Sequence, residues 1–487
     1  MFNVLLIKSA DLHPQDPGIT PPLGIMYLAS YIREKRNDNV KLIDLRLSKN
    51  PLHDVYNAVT MFNPHIVGIS AMTVEVDLMH YVMKLIKSID DRIITIAGGP
   101  HATYYTKEIL NDSNINIVVS GEGEETFLEL LNVLEKGIDI SSVKGISYKQ
   151  GVEIKHNPTR SLIYDLDKLP FPAFDLIDIE KYAKVQAFSS IGRRRYMAIM
   201  TSRGCPFKCT YCHNMFGKKF RPRSPDNIIE EIKLLINKYN IHDFEIIDDI
   251  FNYNNERMKV ILNNIIASDL NIRLAFPNGV RGDMLDEEAV KLMRKAGTAE
   301  LAVAVETASP RLQKMIKKNL NLEKVKYNIA IAAKAGMLVK GFFMLGFPTE
   351  TKEEIKETIN YACKSKLHIA LFFTVIPFEN TELAKQASDI GIQLPTTQYR
   401  NYEYYAMPHN ISNVSQKEFL KLIKYANIRF YLNPFRILRI LLAKPVKKDL
   451  PIMAYRTFKR MFARRIKKKP LILDSFLVTS LQNTKRI

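Results

Sequence analysis

The sequence predicts an α/β protein built from two sheets. Residues 1–150 form a doubly wound parallel sheet, residues 191–390 a second strand–helix array that fits a partial (β/α)6 TIM barrel, and residues 391–487 a basic helical region. Three observations lead there. In both of the first two regions short apolar runs alternate with amphipathic helical stretches, as successive βα units do. Between them, "NPTRSLIYDLDKLPFPAFDLID" is punctuated by proline and holds no period, so 151–190 reads as an extended linker. Past 390 the strand pattern stops and lysine and arginine crowd into helical, apolar texture.

Taken in order, "FNVLLIKS" is a first strand and "LGIMYLASYIREK" an amphipathic helix. "VKLIDL", "HIVGISAM", "RIITIAGGP" and "INIVVSGEGEE" follow as strands, with helices running to Thr60, over 75–88 and over 103–111. Each strand ends in small or polar residues: Ser9; Ser70 to Thr73; Gly98, Gly99 and His101; Gly121 and Glu122. A sheet of this type binds ligands at those carboxyl ends. In the second region the strands are "YMAIMTS", "HDFEIIDD", "IRLAFPN", "AELAVAVET", "LVKGFFMLGF" and "IALFFTVIPF". Ser224-Pro225-Asp226 starts the helix "NIIEEIKLLINKY". In a barrel of this kind the chemistry also sits where strands end.

At 487 residues, 46% hydrophobic and 25% charged, the chain has the composition of globular domains with sizeable cores. Four cysteines exclude a secreted disulfide scaffold. The start lacks a basic segment before its short apolar run, and no stretch has the length of a membrane span, so a cytoplasmic protein is expected. The net charge of +19 is uneven: from Lys424 to Pro470 there are fifteen Lys or Arg and one acid, Asp449.

Three of the four cysteines fall in "RGCPFKCTYCH", as Cys205, Cys209 and Cys212. Thiolates favour zinc, copper(I) or iron–sulfur clusters. A structural zinc site closes with four protein ligands. His213 is the one nearby candidate for a fourth, and adjacent residues seldom share a tetrahedral ion. A four-iron, four-sulfur cube on three thiolates instead leaves one iron open to a cofactor or substrate. Cys363, alone on a helical pattern, reads as a small core residue.

The C-x3-C-x-Y-C motif after a strand resembles the signature of radical S-adenosylmethionine (SAM) enzymes. "FEIIDDIFNYNNERM", "RGDMLDEEAVKLMRKAGTAELAVAVETASPRLQKMIKK" and "KGFFMLGFPTET" are similar to later strands of that family's barrel. The resemblance implies a 4Fe-4S cluster on Cys205, Cys209 and Cys212, with its open iron chelating SAM. It also implies SAM contacts from Tyr211, Asp248, Asp249 and Glu306, and an electron donor of flavodoxin or ferredoxin type. Cleavage of SAM would give a deoxyadenosyl radical that abstracts an unactivated hydrogen.

The front region, with "TPPLGIMYLASYI", "GISAMT", "AGGPHAT" and "GEGEETFLELL", resembles the cobalamin-binding subgroup of these enzymes, whose front domain is Rossmann-like. Cobalamin contacts are then expected from Ser70, Thr73, Gly98, Gly99, His101, Gly121 and Glu122. Asp11-Leu12-His13 only partly matches the motif that supplies a cobalt-ligating histidine: Asp16 takes the glycine slot, so no protein histidine is expected below the cobalt. The implied function is methylation of an unactivated carbon of a small-molecule or lipid-like substrate. Radical cyclisation or oxidoreduction, with or without cobalamin, and a non-catalytic iron–sulfur sensor are the alternatives.

In the tail, "MAYRTFKRMFARRIKKKP" sets Ala454, Phe458, Met461 and Phe462 near one helical face, with Arg456, Lys459, Arg460, Arg464 and Lys467 mostly elsewhere. "PFRILRILLA" has similar texture. Such helices suit peripheral contact with an anionic membrane, here its inner face. Packing against the barrel with the lysines in solvent is the plainer alternative. No nucleic-acid-reading module accompanies the charge, so nucleic acid is not the expected partner.

Overall fold

The computed structural model describes residues 1–12, 18–213, 215–392, 410–443, 447–451, 454–455 and 458. Strands β1 (Asn3–Lys8), β2 (Asn39–Asp44), β3 (Ile66–Ser70), β4 (Ile94–Gly98) and β5 (Ile117–Val119) are parallel, in the order β2-β1-β3-β4-β5. Val4, Leu5, Leu6 and Ile7 are at most 1% exposed, the continuous apolar run of a central parallel strand covered on both faces. The winding reverses between β1 and β3, whose ends meet where Lys8 is in register with Ser70 and the Ser9 amide donates to the Ser70 carbonyl. That reversal opens a crevice at the carboxyl ends of the strands.

The sheet does not stop at residue 150. β6 (Ile146–Gln150) and β7 (Glu153–His156) add an antiparallel hairpin to the β5 edge, so the first part of the expected linker is sheet. Gly151, at φ +64°, turns this hairpin. The helix expected over 103–111 is two short helices, Gly99–Tyr104 and Thr106–Leu110.

The second sheet has six parallel strands: β8 (Met197–Ile199), β11 (Asp243–Ile246), β12 (Arg273–Val280), β13 (Thr298–Glu306), β14 (Leu338–Leu345) and β15 (Ile369–Thr374), hydrogen-bonded in that order. Helices such as Pro225–Tyr239, capped by the Ser224 hydroxyl on the Asn227 amide, cover it. Two short strands, β9 (Ser202–Arg203) and β10 (Arg221–Pro222), pair antiparallel just beyond β8. The helix Leu23–Lys35 is the seam between the units: Leu23, Met26 and Tyr27 join the barrel core, while Ile25, Ala29 and Ile32 face the first sheet's core.

Of the C-terminal region, the helix Gln416–Tyr431 buries Phe419, Leu422, Ile423, Ala426 and Phe430 against the barrel. Phe419 closes on Gly346, at φ +96° past the end of β14, where a Cβ would lie 2.9 Å from its ring. Asp449, the lone acid of the basic stretch, is buried and pairs with Arg193. Of the residues singled out in "MAYRTFKRMFARRIKKKP", all but Ala454 and Phe458 lie outside the described residues.

Glu350 is fully buried and accepts from the Gly346 and Phe347 amides. Burial pushes its carboxyl up to about 8. The folded chain therefore holds this proton more tightly than the unfolded chain. The associated stability is present at low pH and is lost as pH rises from about 4.5 to about 8. Glu350→Gln is expected to flatten that part of the stability–pH curve; denaturant midpoints of both proteins across the range check it.

Candidate active site

The three cysteines lie on the loop between β9 and β10, whose neck closes tightly. Gly204 sits at φ +84°, and a Cβ there would stand 2.3 Å from the Lys219 carbonyl oxygen. The Cys205 amide donates to the Gly217 carbonyl at 3.3 Å, and the Cys212 amide to that of Cys209 at 3.2 Å. Cys205 and Cys209 are half-buried and Cys212 is exposed. Burial raises the Cys205 thiol above its ordinary value. A cationic centre bound beside these thiols would draw off their protons.

A single ion is a poor match. Among the described residues, no three His, Cys, Asp or Glu side chains converge on one point. His213 is engaged elsewhere: its Nε2 hydrogen-bonds the Glu379 carbonyl at 2.7 Å, and its ring stacks on Tyr104 at 4.1 Å. A cube holds its thiolates at separate corners, so the donor set of this loop fits a cluster better than zinc.

The two aspartates after β11 part company. Asp248 is 3% exposed and accepts from the Thr201 amide and from the Thr201 and Ser202 hydroxyls, at 2.5–2.6 Å. It pins the turn from β8 into β9 and has little left for a ligand. Asp249 is exposed at the base of the cysteine loop, where its carboxylate accepts from the Gly204 amide at 3.1 Å.

Tyr211 and Glu306 come together. Glu306, at φ +67°, is a non-glycine residue in the left-handed region, where few residues settle without cause. Its Oε1 accepts from Tyr211 at 3.2 Å and from Lys318 at 2.9 Å. Lys318 also donates to the Tyr211 oxygen at 3.2 Å. Burial and then the Glu306 carboxylate push the Tyr211 hydroxyl well above its ordinary value, so it stays a donor. Nothing in the sequence signals Lys318, which lies in "QKMIKKNL" past the end of the helix Pro310–Met315 and carries no periodic pattern.

On the first sheet the strand ends form one rim. A Cβ on Gly99, at φ +89°, would stand 2.6 Å from the Ser70 hydroxyl. Thr73 lies 3.4 Å from the His101 Nδ1. Burial lowers the His101 pKa to about 3, so its imidazole is neutral. Gly121, at φ +76°, donates its amide to Thr103, and a Cβ there would meet nothing within 4 Å. That open space above a strand-end glycine fits the close approach a flat corrinoid requires. His13 lies outside the described residues. Glu122, expected among the cobalamin contacts, turns the other way: its carboxylate binds Arg203, Arg221 and the Ile163 amide, each at 2.8–2.9 Å. A separate cavity of about 390 Å³ between β2 and the linker, lined by Lys41, Asp44, Asp54 and Lys181, includes no cysteine-loop residue.

Two consequences follow for variants. Gly204→Ala is expected to cost about 1–3 kcal/mol and to speed hydrogen exchange of the Cys205 amide; unchanged exchange contradicts a closed neck. Asp248→Asn is expected to destabilise the fold more than Asp249→Asn, since Asp248 accepts from three buried donors and Asp249 from one part-buried amide; denaturation midpoints of the two variants check this.

Comparison with known proteins matches this geometry. Residues 199–362 match the Radical SAM superfamily and residues 15–131 the B12 binding domain. The chain is 33% identical over 417 residues to an uncharacterized methyltransferase of Pyrococcus horikoshii, covering 85% of this chain and 88% of that one. It is 30% identical over 444 residues to cytidylyl-2-hydroxyethylphosphonate methyltransferase of Streptomyces wedmorensis, covering 80% and 82%. The fold superposes on the cobalamin-dependent SAM radical enzyme OxsB, solved with aqua-cobalamin and SAM bound, with a TM-score of 0.72 at 17% identity, covering all of this chain and 80% of that one. This chain belongs to the cobalamin-dependent radical SAM methyltransferase family, whose cofactors are a four-iron, four-sulfur cluster, SAM and cobalamin.

Proposed function

We propose that this enzyme methylates an unactivated carbon of a small-molecule or lipid-like substrate held between its two sheets. In this reading Cys205, Cys209 and Cys212 hold the cluster. Tyr211, Asp249 and Glu306 line the SAM side, and Ser70, Thr73, Gly98, Gly99, His101 and Gly121 line the corrinoid side. Asp248 and Glu122 belong to the scaffold, because protein donors already surround their carboxylates.

The observation that carries the proposal is the stack of Tyr104 on His213. Tyr104 ends the short helix that starts at Gly99, and His213 directly follows Cys212. The β4 rim and the cysteine loop therefore face one cleft. When bound, the cluster and SAM supply a deoxyadenosyl radical and cobalamin supplies the methyl group. The chain's own contribution is position. Gly121 leaves room for the ring, Gly99 lets its own backbone close on Ser70, Tyr211 ties the cysteine loop to β13 through Glu306, and Phe378 closes on His213 from the β15 end. We assign reduction to an external flavodoxin- or ferredoxin-type donor.

Replacing Cys205, Cys209 and Cys212 together by alanine is expected to abolish reductive formation of deoxyadenosine from SAM under anaerobic conditions. Persistent formation contradicts the assignment. With the intact protein and methyl-labelled SAM, deoxyadenosine without label transfer to any acceptor contradicts methylation and leaves the cysteine assignment standing.

A second observation supports the lipid-facing side of the reading. The helix Pro434–Ala443 is turned inside out. Arg436 is 1% exposed, lies over the Phe430 ring and donates to the Cys363 carbonyl at 2.7 Å, while Phe435, Leu438 and Leu442 point outward at 54–77% exposure. An outward apolar face within a strongly basic stretch fits an anionic bilayer surface. Among the described residues no helix is long and apolar enough to cross a membrane, so the contact would be peripheral. The full chain should float with phosphatidylglycerol vesicles and not with phosphatidylcholine alone. Leu438→Glu with Leu442→Glu should abolish flotation without changing SAM cleavage; flotation that survives the pair contradicts the assignment.

A further inference from the structure

We propose that Glu122, Glu124, Arg203 and Arg221 form a positioning clamp that fixes the cysteine loop relative to the strand ends of the first sheet. The inference rests on the cofactor assignment above and adds residues that touch neither cofactor. Glu122 stands between two guanidinium groups. Arg221 grips both carboxylate oxygens at 2.9 Å, and Arg203 binds Oε1 at 2.9 Å. The second terminal nitrogen of Arg203 binds Glu124 at 2.6 Å, and its guanidinium lies 5.3 Å from the ring centroids of both Tyr27 and Phe216. All four charged residues are at most 8% exposed. Two acids face two bases, so the cluster of charges is internally balanced.

Position in the chain separates this network from an ordinary interface contact. Arg203 and Arg221 are cross-strand partners in the β9–β10 pair, so they are the two sides of the neck from which the cysteine loop projects. Arg221 also donates to the Phe216 carbonyl inside the loop at 2.9 Å. On the other side, Glu122 directly follows Gly121, the residue with open space above it. One peptide unit thus joins the proposed corrinoid rim to the neck of the proposed cluster loop. The linker joins in through the Ile163 amide on Glu122 and the Ile163 carbonyl on Arg221. Buried, bidentate, charge-assisted pairs hold direction as well as distance. A radical reaction between two separately bound cofactors depends on that distance.

The test compares Glu122→Gln, which keeps the shape and removes the charge, with the parent protein carrying both cofactors. Pulsed EPR reads the separation of the reduced cluster and cob(II)alamin spins. Glu122→Gln is expected to shift or broaden that separation by more than about 0.5 Å, the tolerance of a productive constellation, with iron and cobalt contents unchanged. Tyr182→Phe removes another buried bond between the linker and the first sheet, from the Tyr182 hydroxyl to Asp44, and should leave the separation unchanged. If Glu122→Gln does not fold, Glu124→Gln, which takes the charge only from the Arg203 contact, replaces it with the same expectation. An unchanged separation in the folded variant overturns the clamp. Absence of a cob(II)alamin signal from the parent protein itself would instead overturn the cofactor assignment. In that case hydrogen exchange of the amides over 204–220 decides, faster exchange in the variant supporting the clamp and equal exchange overturning it.

Discussion

The closed neck of the cysteine loop is the constraint on which the rest of the site depends. The cysteine loop has little secondary structure of its own to hold it in place. It is fixed because Gly204 lets two backbone segments approach more closely than any side chain would permit, and because Arg203 and Arg221 are paired across β9 and β10. Fixing an irregular loop costs conformational entropy in proportion to its residues. Here buried charge-assisted hydrogen bonds at its base and the Tyr211–Glu306–Lys318 triad at its far side offset that cost. The strained backbone of Glu306 belongs to the same arrangement, since it lets a strand-end carboxylate meet both partners.

The two sheets are united by more than a linker. The helix Leu23–Lys35 contributes to both cores, and its Tyr27 packs under Arg203. The short helix after β4 reaches the cysteine loop through Tyr104 and is held on its other side by Asn380, which donates to the Tyr104 carbonyl. Relative motion of the sheets would therefore disturb an apolar seam, an aromatic stack and a buried charge network together. That arrangement suits chemistry in which two cofactors must address one substrate from opposite sides.

Much of this was legible in the residues. Parallel strands buried on both faces announced themselves as continuous apolar runs, and the cysteine spacing pointed to a cluster because cysteine is so rare in the rest of the chain. The β6–β7 hairpin was not legible: "ISYKQGVEIKH" is short, half-exposed and close to a proline-rich segment, so the chain was read as entering the linker at 151, before the second strand. The roles of Asp248 and Asp249 could not be divided from sequence, because which neighbour turns inward depends on donors at Thr201 and Ser202, far away in the chain. The network around Glu122 was illegible for a related reason. "GEGE" at a strand end signals a ligand rim, and only the fold brings Arg203 and Arg221 to that carboxylate.

The central claim is that an iron–sulfur cube held by three protein thiolates keeps one iron for SAM. It is tested most directly by electron–nuclear double resonance on the reduced protein with SAM carrying nitrogen-15 in its amino group. The account predicts a nitrogen-15 hyperfine coupling to the cluster spin, from direct chelation. A reduced cluster with its full complement of iron, saturating SAM and no such coupling would contradict it.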